Sequence, residues 1–258
     1  MTDNKERVKK SFGENAANYV MSEIHAKGKD LTWIVEEVKK HVPQPHLALD
    51  IATGAGFTAF ALSTCVGRVI GLDLTTEMLQ VAQRQAEQFQ CTNVTWMIGD
   101  AENISLPDQL FDVVTCRIAA HHFPHPEKAF QEVYRLLVPK GIFILIDNYA
   151  PADPSVEALL NRVETLRDPS HGHVYTLEKW SQLLGQAGFS KVEELKKWEN
   201  HVDLDPWFRR MNTPAVEREK VFEALNQATK KQQQTLGYDP KSSSPQIILR
   251  KCMWLAQK

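Results

Sequence analysis

Residues 47–56 read LALDIATGAG, an apolar run that ends in an acid and then a turn holding two glycines. A short apolar run without polar alternation predicts a strand buried on both faces. Gly54 and Gly56 let the backbone turn sharply and come close to a ligand. The stretch Phe57 to Ser63 then opens a helix whose free N–H groups would face that ligand. Working outward, residues 68–73 (RVIGLD) predict a second strand tipped by Asp73. An acid about 20 residues beyond such glycines can accept both hydroxyls of a ribose.

The composition is that of an ordinary globular chain: 258 residues, 43% hydrophobic and 24% charged. That length suffices for one large domain, or one domain with a cap. A net charge of -2 argues against a general polyanion binder, so no nucleic-acid partner is expected. The cysteines, Cys65, Cys91, Cys116 and Cys252, form no CxxC pair. Reduced thiols are expected from them, not disulfides or zinc ligands, and no metal site is expected. The first residues, MTDNKERVKKSFGEN, contain no apolar core of a leader, and no apolar run reaches membrane-spanning length. A cytoplasmic protein without membrane association is therefore expected.

Taken in order, residues 1–27 predict a helical arm with Phe12, Tyr19, Met21 and Ile24 interspersed among polar residues. Gly28 precedes a helix with Leu31, Ile34, Val35 and Val38 at helical spacing, closed by Pro43 and Pro45. After Asp73, Thr75 or Thr76 caps a helix running to about Gln90. Residues 94–98 (VTWMI), 111–118 (FDVVTCRI) and 142–147 (IFILID) predict three more strands, with a helix opened by Pro126 before the last. This alternation predicts a parallel sheet covered by helices on both faces, with ligands outside the carboxyl ends of the strands. Beyond Ala150 the pattern changes. Thr176 caps a helix closed by Gly188, residues 191–198 predict a strand, 203–236 a helical insertion, and 246–255 (QIILRKCMWL) a final strand that pairs antiparallel.

The stretches LDIATGAGFTA, VIGLDLTTEML, GDAENISLPDQLFDVVTCRIAAHHF and AFQEVYRLLVPKGIFILID, in this order and spacing, cover roughly Leu47 to Asp147. Together they resemble the class I S-adenosylmethionine-dependent methyltransferases. The likeness is to the small-molecule branch that includes the ubiquinone and menaquinone biosynthesis C-methyltransferases (methyltransferase domain type 11). The resemblance implies a Rossmann-like, seven-stranded, mostly parallel sheet with an antiparallel last strand, flanked by helices. One methyltransferase domain would span 1–258, with the 1–27 arm and the 203–236 insertion forming a helical cap. It implies S-adenosylmethionine as cofactor and a small-molecule methyl acceptor.

The resemblance also implies roles for particular residues. Asp50, Ala52, Gly54 and Gly56 would line the methionine and ribose side of the cofactor. Asp73 would hold the ribose hydroxyls, and Leu74 would pack on the adenine. Asp100 would accept the adenine amino group, with Ala101 supplying a backbone N–H. Arg117 would border the sulfonium, and Tyr19 would close over it. Ala52 departs from the family's usual glycine. Should the acceptor need to lose a proton, His121 and His122 are the candidate bases, ahead of His171 and His173 in the segment LRDPSHGHVY, which is expected to roof the site.

Two other functions fit the residues less well. An NAD-dependent oxidoreductase would want G-x-G-x-x-G, and here the third position is Ala59. A non-catalytic module that senses S-adenosylmethionine is the other. The DAE after the third strand and CRIAAHHF after the fourth favour the methyltransferase. Trp207, Phe208 and Met211 in the insertion lead to the expectation of an apolar or aromatic acceptor.

Overall fold

The computed structural model describes residues 2–20 and 28–258, and the side chains of 4–16 and 28–258. Met21 and Ile24, and the side chain of Tyr19, lie outside the described residues.

The opening run forms β1 (Leu47–Ile51), buried along almost its whole length. It pairs in parallel with β2 (Arg68–Asp73) on one side and β4 (Phe111–Arg117) on the other. β3 (Val94–Ile98) continues the parallel sheet beyond β2, and β5 (Leu137–Tyr149) beyond β4. At the far edge β7 (Gln246–Gln257) lies between β5 and β6 (Lys191–Asp203), antiparallel to both, giving the order β3-β2-β1-β4-β5-β7-β6. The expected seven-stranded, mostly parallel sheet is thus the sheet observed, with β7 inserted and not added at its edge.

β5 shows why these runs are continuously apolar. Ile142, Ile144 and Ile146 point to one face and Phe143 and Leu145 to the other, all fully buried. On the first face they meet Ile34 and Val38 of α2 (Lys29–His41) and Ala59 and Leu62 of α3 (Phe57–Ser63). On the second they meet Phe130 and Val133 of α5 (Pro126–Leu136) and Trp180 and Leu184 of α7 (Leu177–Gln186). A strand covered on both sides has no polar face to alternate with. α4 (Thr76–Gln88) follows β2, and α1 (Thr2–Val20) lies against α4.

Three elements differ from expectation. β6 runs five residues past Trp198, because its backbone pairs with β7 throughout while its side chains, at an edge, stay charged and polar. β5 begins at Leu137, which pairs with Phe111 across an irregularity in the register. A helix unforeseen in the sequence, α6 (Pro154–Arg167), follows β5. Its start carries two recognisable signals, an Asp153 side chain that accepts the Ser155 N–H at 2.9 Å and Pro154 in the first turn.

The insertion forms α8 (Leu204–Arg210), α9 (Ala215–Gln227) and α10 (Lys230–Leu236). α9 and α10 pack on α6, building a second core from Val156, Leu160, Val163, Phe208, Val221 and Leu225. This core sits on the ends of β6 and β7 that run on past Tyr149 of β5. Cys65, Cys91, Cys116 and Cys252 are all free thiols.

Candidate functional site

Two adjoining cavities open at the carboxyl ends of the parallel strands. The larger, about 120 Å³, lies over the loop that joins β1 to α3. That loop is built under constraint. Ala52 has φ +52, Gly54 +55 and Gly56 +88, three residues in the left-handed region. Asp50 anchors it from behind, its carboxylate accepting Thr53 Oγ1 at 2.6 Å and Thr115 Oγ1 at 2.7 Å. Burial raises the Asp50 pKa to about 6, against the pull of these two hydroxyls.

The structure sorts the expected residues into two groups. Ala52, Gly54, Asp73, Leu74, Asp100, Ala101 and Arg117 face the larger cavity. Asp50, 1% exposed, and Gly56 stand behind it. Asp50 has both oxygens committed to threonines. Gly56 lets Trp96 and Phe60 close in, since a Cβ there would lie 2.8 Å from the Trp96 ring. A Cβ at Gly54 would meet only Met78 Cε, 4.0 Å away, so the space in front of Gly54 is open.

Asp73 is held at the tip of β2 by two backbone donors: Gly54 N–H reaches Oδ2 at 2.8 Å and Thr75 N–H reaches Oδ1 at 2.9 Å. Each oxygen keeps a further acceptor site. Burial raises the Asp73 pKa, against the stabilising N–H groups. Asp100 accepts the Glu102 N–H at 2.9 Å through Oδ1. Lys5 of α1 sets its ammonium between Asp100 and Glu102, 2.6 Å from each. Arg117 is gripped by Asp30 of α2, at 2.5 Å through Nε and 3.1 Å through Nη2, with both side chains buried. Neither Lys5 nor Asp30 was legible as a site residue, since each reaches the site only once its helix has packed.

His121 and His122 sit on a single helical turn just past β4, with ring centroids 4.3 Å apart, and their environments differ sharply. His121 Nδ1 lies 2.6 Å from Asp147 Oδ1, and Asp147 Oδ2 accepts the His121 backbone N–H at 3.1 Å. Burial opposes the charged ring, but Asp147 outweighs it and the His121 pKa is raised. His122 Nδ1 lies 3.1 Å from the Ser170 carbonyl, and burial, with the neighbouring His121, lowers its pKa to about 4. Asp147 is the acid that closes the run IFILID, at a strand tip where ligands gather, but the sequence did not show that it anchors His121.

The smaller cavity, about 60 Å³, adjoins the first, and Phe12, Ile118 and His122 line both. Ile118 has φ +55, a strained conformation for a β-branched residue, and it stands where the two cavities meet. The second cavity is charged. Arg167, Arg210 and Lys251 line it with Glu164, together with His121. Trp207, singled out in the insertion, lines this cavity beside Val202 and Leu249. Phe208 and Met211 are buried away from both cavities, and Trp207 lies under the Arg167 guanidinium, 4.8 Å from it. Of the segment 166–175, Arg167 lines the smaller cavity and the other residues line neither. Gly172 and His173 donate their N–H groups to the His121 carbonyl at 3.0 and 2.8 Å, so the segment braces the histidine turn from behind. Arg167 and Asp168 have separate partners: Arg167 holds the Trp207 carbonyl, Asp168 holds Ser170 and Ser11.

Comparison with known proteins agrees with this geometry. Residues 49–145 match the family described as a methyltransferase domain. The chain is 38% identical over 218 residues to the uncharacterized methyltransferase YcgJ of Bacillus subtilis (strain 168), covering 84% of this chain and 85% of that protein. The crystal structure of YcgJ superposes with a TM-score of 0.82, over 88% of this chain and 97% of the other, at 34% identity. The structure of a putative methyltransferase from Bacillus halodurans C-125 gives 0.84, over 90% and 99%, at 31% identity. A demethylmenaquinone methyltransferase of Thermus thermophilus is 32% identical, covering 59% of this chain and 70% of that protein.

Proposed function

Since this chain belongs to the S-adenosylmethionine-dependent methyltransferases, we propose that it moves a methyl group in line from that donor, held in the larger cavity, to a small organic acceptor in the smaller one. The observation that carries the assignment of the cavities is Asp73. It is an anchored carboxylate at the tip of β2, with one acceptor site spare on each oxygen, beside an open space at Gly54. Those spare sites suit the two hydroxyls of a ribose.

The other residues fit the same ligand. Asp100 and the Ala101 backbone flank the position an adenine would take, and Leu74 offers it an apolar face. Arg117 at the opposite end carries a charge cancelled by Asp30, so a cationic sulfonium beside it meets a neutral pair. When bound, S-adenosylmethionine supplies a methyl group made electrophilic by a positively charged sulfur. The chain supplies position and dryness: Phe12, Ile118 and His122 form the neck through which the acceptor meets that group, and holding the two in line is worth several kcal/mol.

His121 is the residue placed to take a proton from an acceptor that carries one. Asp147 occupies its Nδ1 and fixes the tautomer, leaving Nε2 as the basic atom. With its pKa raised, His121 is basic only above the ordinary histidine range. The turnover rate should therefore rise with pH through a value above 6.5, and His121→Gln should give a flat profile. A wild-type rate independent of pH between 6 and 9 would count against this role.

The cofactor assignment is tested by calorimetric titration with S-adenosylhomocysteine. Wild type should bind it, and Asp73→Asn, which keeps the shape of the side chain, should lose about 1–2 kcal/mol, roughly five- to thirtyfold in affinity. Equal affinity in the two proteins would refute the ribose role.

A further inference from the structure

Among the described residues, the smaller cavity is lined by more basic than acidic side chains, Arg167, Arg210 and Lys251 against Glu164. Lys251 lies on β7 directly opposite Asn148 of β5, and it is only 4% exposed. Among the described residues no side chain closes a hydrogen bond or ion pair on its ammonium, and its pKa is lowered to about 8, by burial first and then by Arg117, against the pull of the Asp30 and Asp147 carboxylates. Arg167 is fixed by the Trp207 carbonyl at 3.2 Å and by Glu164 at 3.6 Å. Glu164 is the one carboxylate among the described residues lining the cavity, and burial raises its pKa, which weakens it as a counter-charge. An ammonium largely withdrawn from water and without a direct partner is stabilised when an anionic group meets it.

We propose that this cavity binds a small acceptor bearing an oxyanion group, a carboxylate or a phosphate, which docks on Lys251 and Arg167 and presents its nucleophilic atom past Ile118 and His122. The proposal rests on the methyl-transfer reading and names the class of its acceptor. The nucleophile forms a bond to the methyl carbon, and the carbon–sulfur bond breaks with its electron pair passing to sulfur. Any proton released from the nucleophile goes to His121 Nε2. The charged group lies at the Lys251 end, away from the donor, so it orients the acceptor and leaves the reacting atom in the neck. A cavity half the size of its neighbour limits the acceptor to a compact acid.

The test uses the full chain saturated with S-adenosylhomocysteine, titrated with sodium phosphate, sodium acetate and the neutral acetamide. Binding of phosphate or acetate that weakens with added salt, with acetamide inert, is the expected result, and the tighter anion tells phosphate from carboxylate. Lys251→Met should weaken the bound anion at least about tenfold while S-adenosylhomocysteine affinity is kept. The same variant should melt at a higher temperature than wild type, because an apolar side chain of similar length replaces a buried unpaired charge, so lost anion binding is not lost folding. Arg167→Gln serves as the second variant with the same expected loss. If S-adenosylhomocysteine binds but neither anion does, or if acetamide binds as well as acetate, the acceptor class is overturned while the cofactor reading stands. If S-adenosylhomocysteine itself fails to bind to folded protein, the methyl-transfer reading falls and the acceptor falls with it.

Discussion

Ala52 concentrates the conflict between local comfort and site geometry. It sits at φ +52, where a Cβ crowds the following carbonyl, yet its backbone must turn there to bring the loop under the cavity. Neighbouring bonds hold it: Thr53 N–H reaches the Leu72 carbonyl at 2.9 Å, and the Thr53 hydroxyl reaches Asp50 at 2.6 Å. The left-handed conformation costs alanine roughly 1–2 kcal/mol, while glycine gives back part of that through its freer unfolded chain, roughly 0.5–1 kcal/mol. Ala52→Gly should therefore raise unfolding free energy by up to about 1 kcal/mol in urea melts. A clear loss of stability would mean that the alanine methyl packs more usefully than its backbone suffers.

At the scale of elements, α1 does the most that its sequence conceals. It spans the mouth of the larger cavity through four described side chains: Asn4 to the His122 carbonyl at 3.2 Å, Lys5 to Asp100 and Glu102, Ser11 to Asp168 at 3.2 Å, and Phe12 edge-on to His122 at 5.0 Å. The Lys5 pair is partly exposed and contributes at most about 1 kcal/mol, and the aromatic edge contact adds roughly 1 more. The double substitution Lys5→Ala with Phe12→Ala should thus weaken S-adenosylhomocysteine by about tenfold to thirtyfold, with helix content by circular dichroism nearly unchanged. Undiminished affinity would show that α1 covers the cavity without contributing to binding. The inner strands β1, β4 and β5 were legible because burial on both faces writes them as apolar-rich runs, and the tips of β2 and β3 announce themselves by Asp73 and Asp100. α6 was not, because its inner face carries Asn161, Glu164 and Arg167 among Val156, Leu160 and Val163, which blurs the apolar stripe. Lys251 was hidden because in QIILRKCMWL it directly follows Arg250, so the pair reads as a charged break in the apolar run, although at period two it shares the buried face of Leu249 and Met253.

Over the whole molecule, residues far apart in the chain meet in one polar centre between the sheet and α6. His121 and His122 arrive from β4 and His171 from the segment after α6, with ring centroids of His121 and His171 5.9 Å apart. His171 Nε2–H donates to Asn161 Oδ1 at 2.9 Å, which ties the segment to α6. Burial, then His121 and His122, lowers the His171 pKa to about 2. The folded protein therefore keeps this ring neutral throughout the mildly acidic range, whereas the unfolded chain takes up its proton near pH 6.5. Where the unfolded state binds the extra proton, stability falls as pH falls, by about 1.4 kcal/mol per unit for one group. His171→Gln keeps a donor for Asn161 and removes the titration. The stability of wild type measured relative to that variant should drop by roughly 2 kcal/mol between pH 7 and pH 5, read from urea midpoints at each pH. A difference that stays constant over this range would mean that His171 protonates equally well in the fold, and that the centre between the sheet and α6 is wetter than its burial indicates.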